Sequence, residues 1–305
     1  MKCALVVLLH VLSACAIYKV IVPAVHNEFE GIGLPDWMVN QTLQKELDYE
    51  VFLYQKMHSD QPNYLRNRGT EGGVYLKYIV DHYDNFPDIA MFVHAHPHEH
   101  QPYFLDLIHC VSPMATYLSI NTDRGCRQTA AWGPLQMWVE QCWRDALRIV
   151  WNMTSTNDTE KFNSIVPTSG PIQVCMYYSN QFILSRDQMR RRPLNVWKDL
   201  LRIVNEQDQC HQGAPDYQNL YANDSPLKEE PVDITAELFG GGTTELPFKR
   251  LDKPGGGYGR LIQGGMMEHL SHVIFGFHNL DMEYPQQRDR CQNFIPFCPR
   301  SLCNI

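Results

Sequence analysis

Pro87-Asp88-Ile89-Ala90-Met91-Phe92-Val93-His94-Ala95-His96-Pro97-His98-Glu99-His100 is the stretch whose reading decides the fold. The apolar run over residues 89–93 is short and bounded by Pro87-Asp88, so it reads as a buried strand. Alternation then sends His94 and His96 to one face and Met91, Val93 and Ala95 to the other. Pro97 ends the strand, and His98, Glu99 and His100 follow on a loop. In open α/β sheets ligands bind beyond the carboxyl ends of the strands. Four imidazoles and a carboxylate gathered there can bind a metal, act as acid and base, or hold a polar substrate. The competing reading is a solvated loop whose histidines pack structurally. A spacing of two on one strand face favours convergence, and with it a functional role.

Working back from this strand, Val74, Leu76, Tyr78, Ile79 and Tyr83 recur at helical spacing, so residues 73–83 are expected to be a helix. Residues 49–54 alternate as a strand, residues 34–47 read as a short helix, and residues 17–25 as a first β-branched strand. The order β–α–β–α–β implies an α/β domain with a mainly parallel central sheet flanked by helices. Working forward, residues 134–151 and 187–205 read as helices, the second broken by Pro193. Residues 174–178 read as a strand that residues 181–184 extend after a bend, and residues 257–277 include a last helix. Clusters of Asp, Pro and Gly over residues 208–254 read as a long excursion within one domain.

The first 16 residues carry Lys2, a short apolar core and Ala14-Cys15-Ala16, the pattern of a secretory signal peptide, with the mature chain expected from Ile17. The apolar run falls short of the roughly 20 residues a span needs, so no membrane anchor is expected. A secreted or lumenal protein is therefore expected, consistent with sequons at Asn40, Asn152, Asn157 and Asn223. Without Cys3 and Cys15, eight of the 10 cysteines remain, an even number that implies disulfides in an oxidising compartment. Cys291, Cys298 and Cys303 are expected to staple a tail over residues 281–305 onto a domain spanning 17–280. A formal charge of −8 argues against nucleic acid as a partner.

Three further places bear chemistry. Asn67-Arg68-Gly69-Thr70-Glu71-Gly72-Gly73 lacks the spacing of a phosphate loop and reads as a helix start. Ser185-Arg186-Asp187-Gln188-Met189-Arg190-Arg191-Arg192-Pro193 offers Arg forks suited to carboxylate or phosphate, against a plain solvated helix face. Glu268-His269-Leu270-Ser271-His272 places Glu268 and His272 one helical turn apart, as an acid–base pair, metal ligands or a buried structural pair would need. No GxSxG elbow and no Walker motif is present.

Taken together these blocks resemble the DUF3431 family, whose proteins have no assigned function. Asn67, Gly69, Glu71, Tyr75, Leu76, Tyr83, Asp84, Pro87, Asp88 and Phe92 match its pattern, and His100 falls at its later histidine. Gln181-Phe182-Ile183-Leu184-Ser185-Arg186 with Arg192-Pro193 resembles a second block. Glu268 to Gly276 resembles the ending, with Ser271 where a Trp is usual. The layout is similar to the three-layer GT-A glycosyltransferases, an analogy of fold only. That similarity implies an enzyme acting on a sugar, glycan or nucleotide-sugar. Glu71, His100 and Glu268 are the candidate catalytic groups, and Asn67, His94, Gln181, Arg186 and His272 the candidate substrate-binding ones. His96 and His100 are candidates for a divalent ion (Mn, Zn or Mg) or for a substrate diphosphate. Two rivals remain open: a metal-dependent hydrolase with His94, His96 and His100 as ligands, and a secreted carbohydrate-binding module using the histidines with Tyr103 and Phe104.

Overall fold

The computed structural model describes residues 17–206, apart from 27, 57–58, 66–69, 122–123, 132–135, 152–161, 164–165 and 178–179, and then residues 258–276 and Phe294. The expected signal peptide, the sequons at Asn152, Asn157 and Asn223, and Cys291, Cys298 and Cys303 lie outside the described residues.

Lys19-Val20-Ile21-Val22-Pro23-Ala24 forms β1 (Lys19–Ala24), buried on both faces as its β-branched run requires. It pairs in parallel with β2 (Glu50–Val51) on one side and with β3 (Ile89–His94) on the other. Beyond β3 the sheet continues with β7 (Phe182–Ser185) and then β4 (Tyr117–Ser119), in the order β2-β1-β3-β7-β4. Both β7 pairings are antiparallel, so β7 alone runs against the other four and the sheet is mixed. Residues 173–177 and 182–185 are not one bent strand. The turn at Asn180, with φ 37°, separates β6 (Gln173–Tyr177) from β7. β6 pairs with β5 (Arg124–Gln128) in a small second sheet, where Cys126 and Cys175 lie directly opposite and are disulfide-bonded. Cys110 and Cys142, which lie in different layers of the core, each belong to a further disulfide of their own. Of the tail, Phe294 is buried and bridges to Val111.

The pleat sorts the core into two layers. Val20, Val22, Ala90, Phe92, Phe182 and Leu184 face α3 (Thr70–Asp81), α5 (Gln136–Val150), α7 (Leu194–Leu201) and α8 (Tyr258–Ser271). Ile21, Ile89, Met91, Val93 and Ile183 face α1 (Asp36–Val39), which supplies Trp37 and Met38, and α4 (Phe104–Cys110). A short α2 (Gln41–Glu46) follows α1, and α6 (Arg186–Arg190) follows β7. The fold is therefore a three-layer α/β sandwich. Among the described residues no helix is long and apolar enough to cross a membrane.

The helical layer is closed by tight contacts. A Cβ on Gly72 would stand 2.5 Å from Met267 Cγ, so α3 and α8 cross closely at a position that only glycine fits. The chain ends of α5 and α8 converge on Arg192. Its Nε donates to Ile274 O at 2.8 Å and its Nη2 to Val273 O at 2.9 Å, while Nη1 donates to Val150 O. Burial pulls this guanidinium down to about 10. Gln188 adds a bond to Phe275 O at 2.9 Å and one to Gly276 O, so side chains satisfy the carbonyls of Val273, Ile274, Phe275 and Gly276 in the π-helical turn His272–Gly276.

His269 sits inside this layer, 4% exposed, with Nδ1 at 2.5 Å from Gly265 O and its ring 5.4 Å from that of Trp143. Burial pulls its pKa down to about 4. Between about pH 4 and the usual histidine value of about 6.5, the unfolded chain therefore binds a proton that the folded chain does not. Stability is present above about 6.5 and falls as pH drops toward 4, by up to about 3 kcal/mol from this group. Urea unfolding at several pH values is expected to show that slope. In His269→Gln the slope should flatten; an unchanged slope would refute the assignment.

Candidate functional site

β1 lies between β2 and β3, so the chain leaves β1 to one side and returns across it to the other. The crevice beyond the carboxyl ends of β1 and β3 is thus the switch point of the sheet, where open α/β folds bind ligands. Three segments meet there: the loop after β1 with Glu28, the N-terminus of α3 with Glu71, and the end of β3 with His94.

His94 is the last residue of β3 and shares the face of Ala90 and Phe92, which turns it toward α3. Its backbone N–H donates to Gln181 Oε1 at 3.0 Å, and Gln181 Nε2 donates to Asn121 Oδ1 at 2.9 Å, both amides being buried. This chain of amides fixes the strand end. The imidazole Nε2 is shielded from solvent and makes no hydrogen bond. Glu71 Oε1 stands 3.8 Å from it, and the His100 ring lies edge-on at 5.4 Å. Burial pushes the His94 pKa down; the charges of Glu71, Glu268 and Glu28 oppose that shift, and His100 adds to it. The ring is therefore neutral at neutral pH, with its unbonded Nε2 beside the Glu71 carboxylate.

One turn along α3 from Glu71, the Tyr75 hydroxyl is also buried without a hydrogen bond, its ring 5.1 Å from Phe92 and 5.6 Å from Phe182. Burial pushes this hydroxyl well up, and Glu71 adds to the shift, so it is held as O–H. Asn180, beside Gln181, buries both side-chain polar atoms without a hydrogen bond. A buried polar atom left unpaired costs on the order of 1–3 kcal/mol. Three such groups lie at this end of the sheet, and a polar ligand there could supply their partners. Lys56, 4% exposed, donates from Nζ to the carbonyl of Thr70 at the start of α3, next to Glu71. Nothing in the sequence singles it out, because it falls in a loop with no periodicity.

Other expected residues are divided between places. Gln181 and His100 are at the crevice, and Glu268 on α8 is near enough for its charge to act on His94. Asn67 lies outside the described residues. His272 is buried in the turn that follows α8. Arg186 is at the opposite end of the sheet. β7 runs antiparallel to β3, so Phe182 pairs with Phe92 near the crevice and Ser185 pairs with Ile89 far from it. There the Arg186 Nε donates to Phe86 O at 2.9 Å, and Nη2 pairs with Asp88 Oδ1 at 3.1 Å. Arg190 Nη2 donates to Asp84 O at 3.2 Å. These arginines hold backbone together rather than form an anion patch.

His96 also departs from the expected strand face. β3 ends at His94, and the chain bends into a 3₁₀ turn over Pro97–Glu99. The His96 ring packs edge-on against Phe29 at 4.8 Å and lies 6.0 Å from that of His98. His96, His98 and Glu99 bring ligand atoms within 4.8 Å of one another, the one such group of three among the described residues. The histidine run thus splits in two: His94 and His100 face the crevice, while His96 and His98 face Phe29 and Glu99.

No curated protein and no solved structure is significantly similar to the chain. The family model described as protein of unknown function, DUF3431, matches residues 34–218. That is more than half of the chain, and it includes Glu71, His94, His100 and Gln181 but not Glu268. The chain belongs to the DUF3431 family.

Proposed function

We propose that this chain is an enzyme of glycosyltransferase type, which activates a hydroxyl group of a sugar or glycan in the crevice beyond β1 and β3. The observation that carries the reading is the shielded, unbonded His94 Nε2 standing 3.8 Å from Glu71 at the switch point. A carboxylate and a neutral imidazole so placed can hold a hydroxyl between them, one accepting its proton while the other steadies its oxygen. The acceptor oxygen then attacks the anomeric carbon of the donor, its proton passing to Glu71 as the leaving group departs with the bonding electrons. The surrounding groups suit a polyhydroxylated ligand: Gln181, Asn121, Asn180 and the Tyr75 hydroxyl offer donors and acceptors of neutral charge. Glu28, Glu71 and Glu268 would repel a diphosphate, so a nucleotide-sugar donor would enter with a divalent ion that neutralises it. A hydrolase holding one metal between His94, His96 and His100 fits the geometry less well, because the His96 ring packs with Phe29 and His98.

Nucleotide-sugars with Mn²⁺ are expected to raise the melting temperature, since a ligand at about 100 times its Kd stabilises by about 2.7 kcal/mol. A differential scanning panel of uridine and guanosine diphosphate sugars and free oligosaccharides measures this. No shift across that panel would defeat the reading.

A further inference from the structure

We propose that the turn after β3 binds one transition-metal ion, zinc by its ligand set, through His96, His98 and Glu99. The site is distinct from the Glu71–His94 pair and does not depend on the reaction proposed above. Its ligand atoms already lie within 4.8 Å of one another. Tetrahedral zinc bonds of about 2.0–2.2 Å place ligand atoms roughly 3.3–3.6 Å apart, little more than about 1 Å closer than they can stand here. The backbone itself is held. Pro97 fixes the first residue of the 3₁₀ turn, and Glu99 N donates to His96 O at 3.2 Å. Gln101 N donates to Pro97 O at 2.9 Å. The Gln101 side chain is fully buried, donating to Ile120 O at 2.6 Å and accepting from Tyr103 N at 3.1 Å, which ties the turn to the end of β4. The His96 ring is braced edge-on by Phe29, while His98 and Glu99 are exposed, so an ion has direct access.

Two imidazoles and one carboxylate are the donor set of a zinc site with a fourth position open, and they are too nitrogen-rich for calcium or magnesium. An ion bound here keeps one coordination position for water or for an anionic ligand group. The division of the histidine run gives the inference its distinguishing content: His100, one residue from Glu99, belongs to the other cluster and contributes nothing to the ion.

Titrating the purified full chain, free of any polyhistidine tag, with ZnCl₂ by calorimetry is the test, with far-ultraviolet circular dichroism confirming that each variant folds. One zinc per chain is expected. His98→Ala and Glu99→Gln should each weaken binding at least about tenfold, and His100→Ala should leave it unchanged. Zinc retained in His98→Ala but lost in His100→Ala would overturn the assignment in favour of the crevice, and no zinc binding by the unaltered chain would overturn it outright. Because the probe is the metal alone and no turnover is read, failure here leaves the proposed reaction untouched, and failure of the nucleotide-sugar panel leaves this site untouched.

Discussion

Arg192→Met is expected to lower the melting temperature by about 10 °C. Methionine covers much the same apolar surface as the arginine stem but brings no donors. The carbonyls of Val150, Val273 and Ile274 would then lose their guanidinium partner at the ends of two packed elements. Leaving a buried acceptor unmatched costs about 1–3 kcal/mol, so losing three together is worth about 4 kcal/mol after relaxation. In a protein of this size about 2–4 °C accompany each kcal/mol. Arg190→Met is the control: Arg190 is exposed and among the described residues bonds Asp84 O alone, at 3.2 Å, and its loss is expected to cost under about 1 kcal/mol. Thermal unfolding of the two variants side by side decides the matter. Equal shifts would mean that the guanidinium does not hold the helix ends together.

Glu71→Gln is expected to lower kcat about 10³-fold with KM nearly unchanged, once a substrate has been found. The amide keeps the size and the hydrogen-bonding reach of the carboxylate but cannot take a proton, and general bases contribute about 10²–10⁴-fold. Stability should barely move. Glu71 stands 3.8 Å from the neutral His94 ring, beyond hydrogen-bonding distance, and both groups are partly solvated, with 25% and 21% of the two side chains exposed. A melting temperature that falls with the rate would give Glu71 a structural role instead. Activity retained in Glu71→Gln but abolished in Glu268→Gln would move the base to α8.

Local pattern revealed the parts of this molecule that depend on neighbours along the chain. The run over residues 89–93 became β3, and the helix expected over residues 73–83 is present as Thr70–Asp81, starting three residues earlier. His94 was legible as a crevice residue because alternation with Ala90 and Phe92 holds as far as the strand lasts. His96 was not, because the strand stops one residue after the apolar run and alternation has no meaning beyond it. The helix read over residues 34–47 is two, since Asn40 Oδ1 accepts from the N–H groups of Thr42 and Leu43 and so begins a second. Residues 181–184 were legible as strand but not as members of the main sheet, a choice made by the left-handed turn at Asn180. Arg186 and Lys56 show the limit of charge patterns. Whether a cation faces a ligand or is consumed by carbonyls is settled by chain segments far away, Phe86 for the first and Thr70 for the second.

The antiparallel seam between β3 and β7 also sets an order of events during synthesis. β1, β2 and β3 can assemble as soon as residue 94 has emerged, but Gln181, which bonds the His94 amide, arrives 87 residues later. At about 5–20 residues per second the ribosome needs on the order of ten seconds to deliver it. Throughout that interval one edge of β3 has unpaired N–H and C=O groups and the apolar side chains of Phe92 and Met91 lack their cover from β7. A nascent chain stalled before residue 182 would therefore display an adhesive strand edge, and would be a natural client for chaperones that bind extended apolar segments.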